Sequence, residues 1–303
     1  LKNPVYEKVE AKASLHTARI VPIYSTREKL SQKQLRLLIH AALPSAQQLA
    51  DIVPDSIRTT HHLCTFSDAI TALHFPDHVQ ELQRARHRMA FEELFLLQLR
   101  AAKTRLERDH QMSPGVSFSE KETRDFVQSL PFQLTSDQRK AAWEILQDLM
   151  PDSDVHPPMY RLLEGDVGSG KTVVAAIAIM NVARSGMCAF IMAPTSILAE
   201  QHFATFVKLF AKQPLLIGLF TSASHRIGTA GRGEESTRAD IKKAIQHGKC
   251  SIVVGTHALI ADKAIPKDRL ALVVLDEQHR FGVAQRQALG VARPDGLHPH
   301  VLS

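Results

Sequence analysis

The chain has 303 residues, 44% hydrophobic and 22% charged, which is ample apolar material for one large domain or two ordinary ones and argues against a disordered chain. It holds no run of eighteen apolar residues, and its start, LKNPVYEKVE, lacks the apolar centre of a signal peptide, so the expectation is a cytoplasmic protein with no membrane partner. A formal charge of +6, weighted towards the N-terminal third, suits a polyanionic partner, although solubility alone also explains a modest charge of this kind.

In chain order, Ala18 to Tyr24 alternates as a strand does, but no partner strands follow. An isolated strand does not stand alone, so residues 1–25 read as the end of a domain whose other strands lie upstream. Residues 26–112 read as a helical arm: Leu35, Leu38, Ile39 and Leu43 share one face, and Ala90, Leu94, Leu97 and Ala101 recur at spacings of four, three and four. Arg84 and Arg88, one helical turn apart on this arm, are either ordinary solvated charges or a DNA-facing pair.

Pro114 and Gly115 break the arm, and Ser119 with Glu122 has capping-box spacing, which opens a second domain over residues 113–303. Within it Met159–Leu163, Met187–Ala193, Leu215–Phe220, Cys250–Gly255 and Leu270–Leu275 read as short buried strands alternating with helix-length segments. That order predicts an α/β fold, a parallel sheet covered by helices on both faces. The Gly-rich segment Ile227–Glu235 reads as an exposed loop. Cys64, Cys188 and Cys250 are far apart, without metal-ligand spacing, and read as reduced thiols.

Gly165-Asp166-Val167-Gly168-Ser169-Gly170-Lys171-Thr172 matches G-x-x-x-x-G-K-[ST] between a predicted strand and a predicted helix. Such glycines let backbone N–H groups turn inward around phosphate oxygens, and the following helix points its positive end at the same charge. Lys171 is then expected on the β- and γ-phosphates of ATP and Thr172 on Mg²⁺. The run Leu272–Leu275 ends in Asp276 and Glu277, at the strand end where ligands sit in open α/β sheets. Asp276 is expected to hold the metal, and Glu277 to orient and deprotonate the attacking water. In LPFQLTSDQ, Gln138 has two readings: an amide matched to the adenine edge, or the closing residue of a capping box begun by Thr135.

Taken in order, LPFQLTSDQ, GDVGSGKT, APTSILAEQH, GTHALI and DEQHRFGVAQR resemble motifs Q, I, Ia, Ib and II of superfamily 2 helicases, and specifically the RecG family. The transcription-repair coupling factor shares much of the pattern and is the alternative; a non-motor nucleotide-binding scaffold is an alternative of another class. The resemblance implies a RecA-like motor lobe over residues 113–303, with residues 26–112 as a linker and residues 1–25 as the end of an OB-fold wedge domain. It further implies a nucleoid-associated enzyme that drives stalled forks and Holliday junctions with ATP. By position it makes Gln138 an adenine contact, Phe132 a stacking partner for the base and His279 a relay from nucleotide to DNA. Pro194, Thr195, Thr256 and His257 fall where the family lies along the DNA backbone. Arg280 and Arg286 fit either the motor or salt bridges. Thr221 is followed by serine where the family has Thr-Gly, and the sequence stops before motif III, so the second helicase lobe is expected to be a missing partner and the 303 residues alone nearly inactive.

Overall fold

The computed structural model describes residues 15, 19–25, 30–151, 156–166, 168–229, 231–262, 265–277 and 292–303, with only the backbone at 260 and 261. Val167, His279, Arg280 and Arg286 lie outside the described residues. The chain divides into two compact units, Leu1–Arg105 and Leu106–Ser303. Among the described residues no helix is long and apolar enough to cross a membrane.

The first unit is helical: α1 (Gln32–Ala42), a 3-10 turn (Leu43–Gln48), α2 (Asp55–Thr60), α3 (Phe66–His74) and α4 (Val79–Asp109). Side chains start these helices. Ser31 and Gln34 form a complete capping box at α1, and Thr65 accepts the Asp68 N–H at α3. Residues 19–25 carry no strand. With no neighbouring strand among the described residues, Tyr24 takes side-chain partners: its N–H donates to Gln32 Oε1 (3.0 Å) and its hydroxyl meets His74 Nδ1 (2.7 Å).

The long helix α4 buries only Ala85, Arg88 and Glu92 within its 31 residues. The predicted face of Ala90, Leu94, Leu97 and Ala101 is the exposed one. The spacing was right for a helix, but among the described residues of this unit that stripe is uncovered, and α4 is held on its other side by Ala85, by Phe91 against His61 and by one polar anchor. That anchor overturns the solvated and DNA-facing readings of Arg88. Its guanidinium is fully buried, 2.5 Å from Asp51 and 2.7 Å from Glu92. Burying a guanidinium is tolerable only when paired, and here two carboxylates meet it. Asp51 also accepts the N–H groups of Val53 and Phe66, so one ion cluster joins the start of α3 to α4. Arg84 remains exposed.

The second unit opens with α5 (Glu120–Gln128) and α6 (Ser136–Leu149), followed by β1 (Tyr160–Arg161), α7 (Lys171–Arg184), β2 (Cys188–Met192), α8 (Ser196–Leu209) and β3 (Leu216–Phe220). It continues through β4 (His225–Thr229), β5 (Arg232–Glu235), α9 (Arg238–Gln246), β6 (Cys250–Gly255), α10 (Ala258–Ala261), β7 (Leu270–Leu275) and β8 (His300–Leu302). One eight-stranded sheet runs in the order β1-β8-β7-β2-β6-β3-β4-β5. Alternate residues face opposite cores. Ala189, Ile191, Ile252, Val254, Leu272 and Val274 meet α5 to α8, while Phe190, Met192, Val253, Val273 and Leu275 meet Ile241 and Ile245 of α9 and Leu259 of α10. Burial on both faces explains the unbroken apolar runs of β2, β6 and β7.

Two elements depart from expectation. Ile227–Glu235 is not an exposed loop: with His225 and Arg226 it forms the hairpin β4–β5, which adds two antiparallel strands to the otherwise parallel sheet. Gly228 serves close packing, because a Cβ there would stand 2.4 Å from Val207 Cγ2 and 3.0 Å from the Phe203 ring. The short strand β8 was not expected at all. It lies between β1 and β7 in the sheet, and its first residue, His300, is fully buried. Nδ1 of His300 accepts the Met159 N–H (3.0 Å), which puts the ring proton on Nε2, facing the Pro114 carbonyl at 2.9 Å. Burial pushes the His300 pKa down to about 4, so the ring is neutral at pH 7.

Candidate nucleotide site

The phosphate-binding motif lies between β1 and α7, as its sequence requires. Gly168 and Gly170 take φ of 83° and 84°, left-handed values that a side chain would strain. Gly170 is the N-cap of α7, and a Cβ there would also fall 2.3 Å from Gln138 Nε2. The helix behind it is held by its surroundings: the eleven residues Val173 to Ala183 are all buried. A fixed helix gives a fixed positive end, with Lys171 and Thr172 in its first turn.

Lys171 Nζ donates to the carbonyls of Gly165 (2.6 Å) and Asp166 (3.0 Å), folding the ammonium onto its own loop. Ser169 N–H donates to Asp166 O (3.1 Å). Gln138 takes the capping role and adds a contact with the phosphate loop. Its Oε1 accepts the Thr135 N–H (2.9 Å), its own N–H donates to Thr135 Oγ1, and Nε2 donates to the Ser169 carbonyl at 2.7 Å. The capping box is therefore real, and it also ties the start of α6 to the phosphate loop. Phe132, in the turn before α6, is exposed at 47%.

Asp276 and Glu277 follow β7 directly. The Asp276 N–H continues the ladder to Met192 O (3.0 Å), so the strand end is fixed by β2. Glu277 has φ of 53°, a left-handed backbone that a non-glycine residue adopts rarely and that turns the chain sharply after the carboxylate pair. Lys171, Thr172, Asp276 and Glu277 all line one cavity of about 280 Å³, with Leu163, Ala175, Ile191 and Val274 as its apolar wall.

Sequence reasoning missed one member of this cavity. His202, on α8, places Nε2 2.8 Å from Asp276 Oδ2. That hydrogen bond is the main reason the Asp276 carboxyl sits below its ordinary range; burial opposes it, while the Glu277 N–H and the Lys171 charge add to it. The available signal was faint: His202 stands seven residues, two helical turns, beyond Thr195, but nothing in the sequence says that it reaches a strand 74 positions away.

The four residues expected along DNA follow the C-terminal ends of two neighbouring central strands of the sheet. β2 and β6 are parallel partners, and Ala193 N–H donates to Gly255 O (2.8 Å), so Pro194-Thr195 and Thr256-His257 begin side by side. Thr195 caps α8 by accepting the Leu198 N–H. Thr256 is buried and His257 exposed, so only the latter offers its side chain outward.

The model of the DEAD/DEAH box helicase family matches residues 135–291. Curated relatives include the ATP-dependent DNA helicase RecG of Thermotoga maritima, 40% identical over 93% of this chain and 34% of the relative. RecG of Synechocystis is 38% identical over the whole chain and 35% of the relative, and RecG of Bacillus subtilis 39% over 93% and 39%. The chain thus spans about a third of the length of the relatives it matches. A solved structure of RecG bound to a three-way DNA junction is 36% identical, with a TM-score of 0.72 over 94% of this chain and 36% of that one.

Proposed function

The chain belongs to the DEAD/DEAH box helicase family and is a homologue of the RecG DNA helicases, and from that premise we propose that it is the ATP-binding motor lobe of a translocase acting on branched DNA. The observation that carries this reading is the meeting of Lys171, Thr172, Asp276 and Glu277 around one cavity at the N-terminus of α7. An ionised carboxylate and a hydroxyl are the hard oxygen donors that Mg²⁺ takes, so Thr172 and Asp276 suit that ion. Bound there, Mg²⁺ would neutralise charge on the β- and γ-phosphate oxygens.

The remaining chemistry falls to the chain's own groups. Lys171 exchanges the Gly165 and Asp166 carbonyls for phosphate oxygens, and the loop N–H groups from Gly165 to Gly170, Val167 included, cradle the rest. Glu277 orients the attacking water and accepts its proton. Gln138 reads the adenine edge when it exchanges one of its present partners, and Phe132 offers a ring for stacking. His279 relays nucleotide state towards Pro194, Thr195, Thr256 and His257, which hold DNA backbone without reading sequence.

The solved relative binds a three-way junction, and forks and Holliday junctions are proposed as the substrates here. Residues 1–25 are proposed as the end of the wedge domain and 26–112 as its linker to the motor. The arginine that stabilises charge on the transferred phosphoryl group is assigned to a second helicase lobe of the same protein. Such arginines raise turnover about 10³- to 10⁵-fold, so these 303 residues alone are expected to bind ATP and hydrolyse it slowly.

ATP turnover of the full-length protein, measured with fork, linear duplex and single-stranded DNA, tests the proposal. Fork DNA should stimulate most, and Lys171→Ala should lower turnover by about 10²-fold or more. Equal stimulation by fork and linear duplex would favour a transcription-repair coupling translocase instead. Turnover unchanged by Lys171→Ala would leave only a nucleotide-binding scaffold.

A further inference from the structure

A carboxylate at a strand end is free to rotate about two side-chain torsions even when its backbone is fixed. Asp276 is in that position: β2 holds its N–H, and something else must hold its oxygens. Two donors do so, the Glu277 N–H and the His202 side chain, the latter 2.8 Å from Oδ2. An ionised carboxylate only accepts, so Nε2 carries the proton and donates. The donor is itself anchored, because Ala199 before it and Phe203 and Phe206 after it along α8 are buried in the core. The imidazole lies against the Phe206 ring, with centroids 6.4 Å apart and planes tilted by 40°. α8 therefore cannot roll without breaking core contacts, and the N–H it presents to Asp276 is fixed in place.

We propose that His202 is a positioning residue for nucleotide-bound Mg²⁺, holding one oxygen of Asp276 so that the carboxylate keeps the orientation that serves the metal. The inference rests on the assignment of Asp276 to Mg²⁺. It also makes α8 a direct mechanical link, since the helix capped by Thr195 at one end grips the metal-binding carboxylate two turns later.

The test uses the full-length protein and two readouts besides turnover: Mg²⁺ titration of fluorescent ATP-analogue binding, and Mn²⁺ binding followed by electron paramagnetic resonance. An asparagine at 202 places its amide nitrogen where Nδ1 stands and falls short of Asp276, whereas a glutamine reaches the Nε2 position. His202→Asn should raise the Mg²⁺ concentration for half-maximal nucleotide binding about tenfold, the usual scale for a residue that orients a metal ligand, with binding in EDTA unchanged. His202→Gln should return the midpoint to within about threefold of wild type. The Mn²⁺ affinity should follow the same order.

A wild-type Mg²⁺ midpoint in His202→Asn overturns the proposal, as does a His202→Gln variant no better than His202→Asn. Loss of binding in EDTA as well would mark His202 as a packing residue and also overturn it. Asp276→Asn separates the two levels. If it leaves the midpoint unmoved, the metal assignment itself fails; if it shifts the midpoint while His202→Asn does not, only the role of His202 fails.

Discussion

Arg88 in the helical unit and His300 in the sheet unit are both completely buried, yet one is buried charged and the other neutral. The guanidinium cannot shed its charge, so the fold brings it Asp51 and Glu92, the first from 37 residues away. The imidazole can shed its charge, and backbone partners suffice: the Met159 N–H and the Pro114 carbonyl. A buried cation thus draws distant acidic side chains into one cluster, whereas a neutral ring pins the backbone of the segments that pass it. Two routes to the same burial imply two different responses to mutation and to acid.

The largest expected effect is on the charged anchor. Arg88→Ala should destabilise the helical unit by about 3 kcal/mol, the cost of leaving the buried Glu92 carboxylate without its partner while Asp51 keeps Arg58, read as a lowered urea midpoint by circular dichroism. Next comes acid. His300 has an ordinary pKa of 6.5 when unfolded and about 4 when folded, so below pH 6.5 the unfolded chain binds a proton that the folded chain refuses. The sheet unit should therefore keep its full stability above pH 6.5 and lose up to about 3 kcal/mol as the pH falls to 4. Trp143, the single tryptophan, lies in α6 and reports this unit by fluorescence. His300→Gln should flatten the slope.

The helical unit should lose less through that window, the burial-lowered pKa of half-exposed His74 giving only a small acid loss. Burial pushes the Asp51 carboxyl up, but the N–H groups of Phe66 and Val53 and the Arg88 charge outweigh it and leave the pKa lowered. Its contribution is complete above 3.8 and lost only as the pH falls through the lower folded value. Loss of helical signal before the tryptophan change would break the comparison. A smaller effect sharpens it at the nucleotide site: Thr135→Ala removes a capping hydroxyl and should cost about 1 kcal/mol. Leu97→Gln, on the exposed side of α4, should stay within about 0.5 kcal/mol, because that stripe is uncovered among the described residues of this unit.

These contrasts explain what the sequence could say. Strands β2, β3, β6 and β7 were legible because both faces are buried, so their apolar runs are long and bounded. The phosphate loop was legible because left-handed backbone at Gly168 and Gly170 restricts residue choice to a recognisable spacing. The hairpin β4–β5 was hidden because two of its glycines, Gly228 and Gly233, answer to Phe203 and Val207, distant in sequence, while Gly231 alone takes a left-handed backbone between the strands. β8 is three residues long, too short for any period to register. Arg88 and His202 were misjudged or missed for one reason: the partner that decides each role, Asp51 or Asp276, is chosen by tertiary structure.

The strand β1 has one neighbour in the sheet, and that neighbour is β8. Val301 donates to Met159 O at 2.7 Å, and Leu163, two residues before the first glycine of the phosphate loop, donates to Ser303 O at 2.6 Å. A ribosome that has just finished Asp276 has made nearly every residue of the nucleotide site, but not β8, the strand that holds β1 in the sheet. At about 5–20 residues per second the gap between Thr172 and β8 is on the order of ten seconds. During that interval the emerging chain carries an ATP motif without an ATP site, and competence to bind should arrive late and all at once.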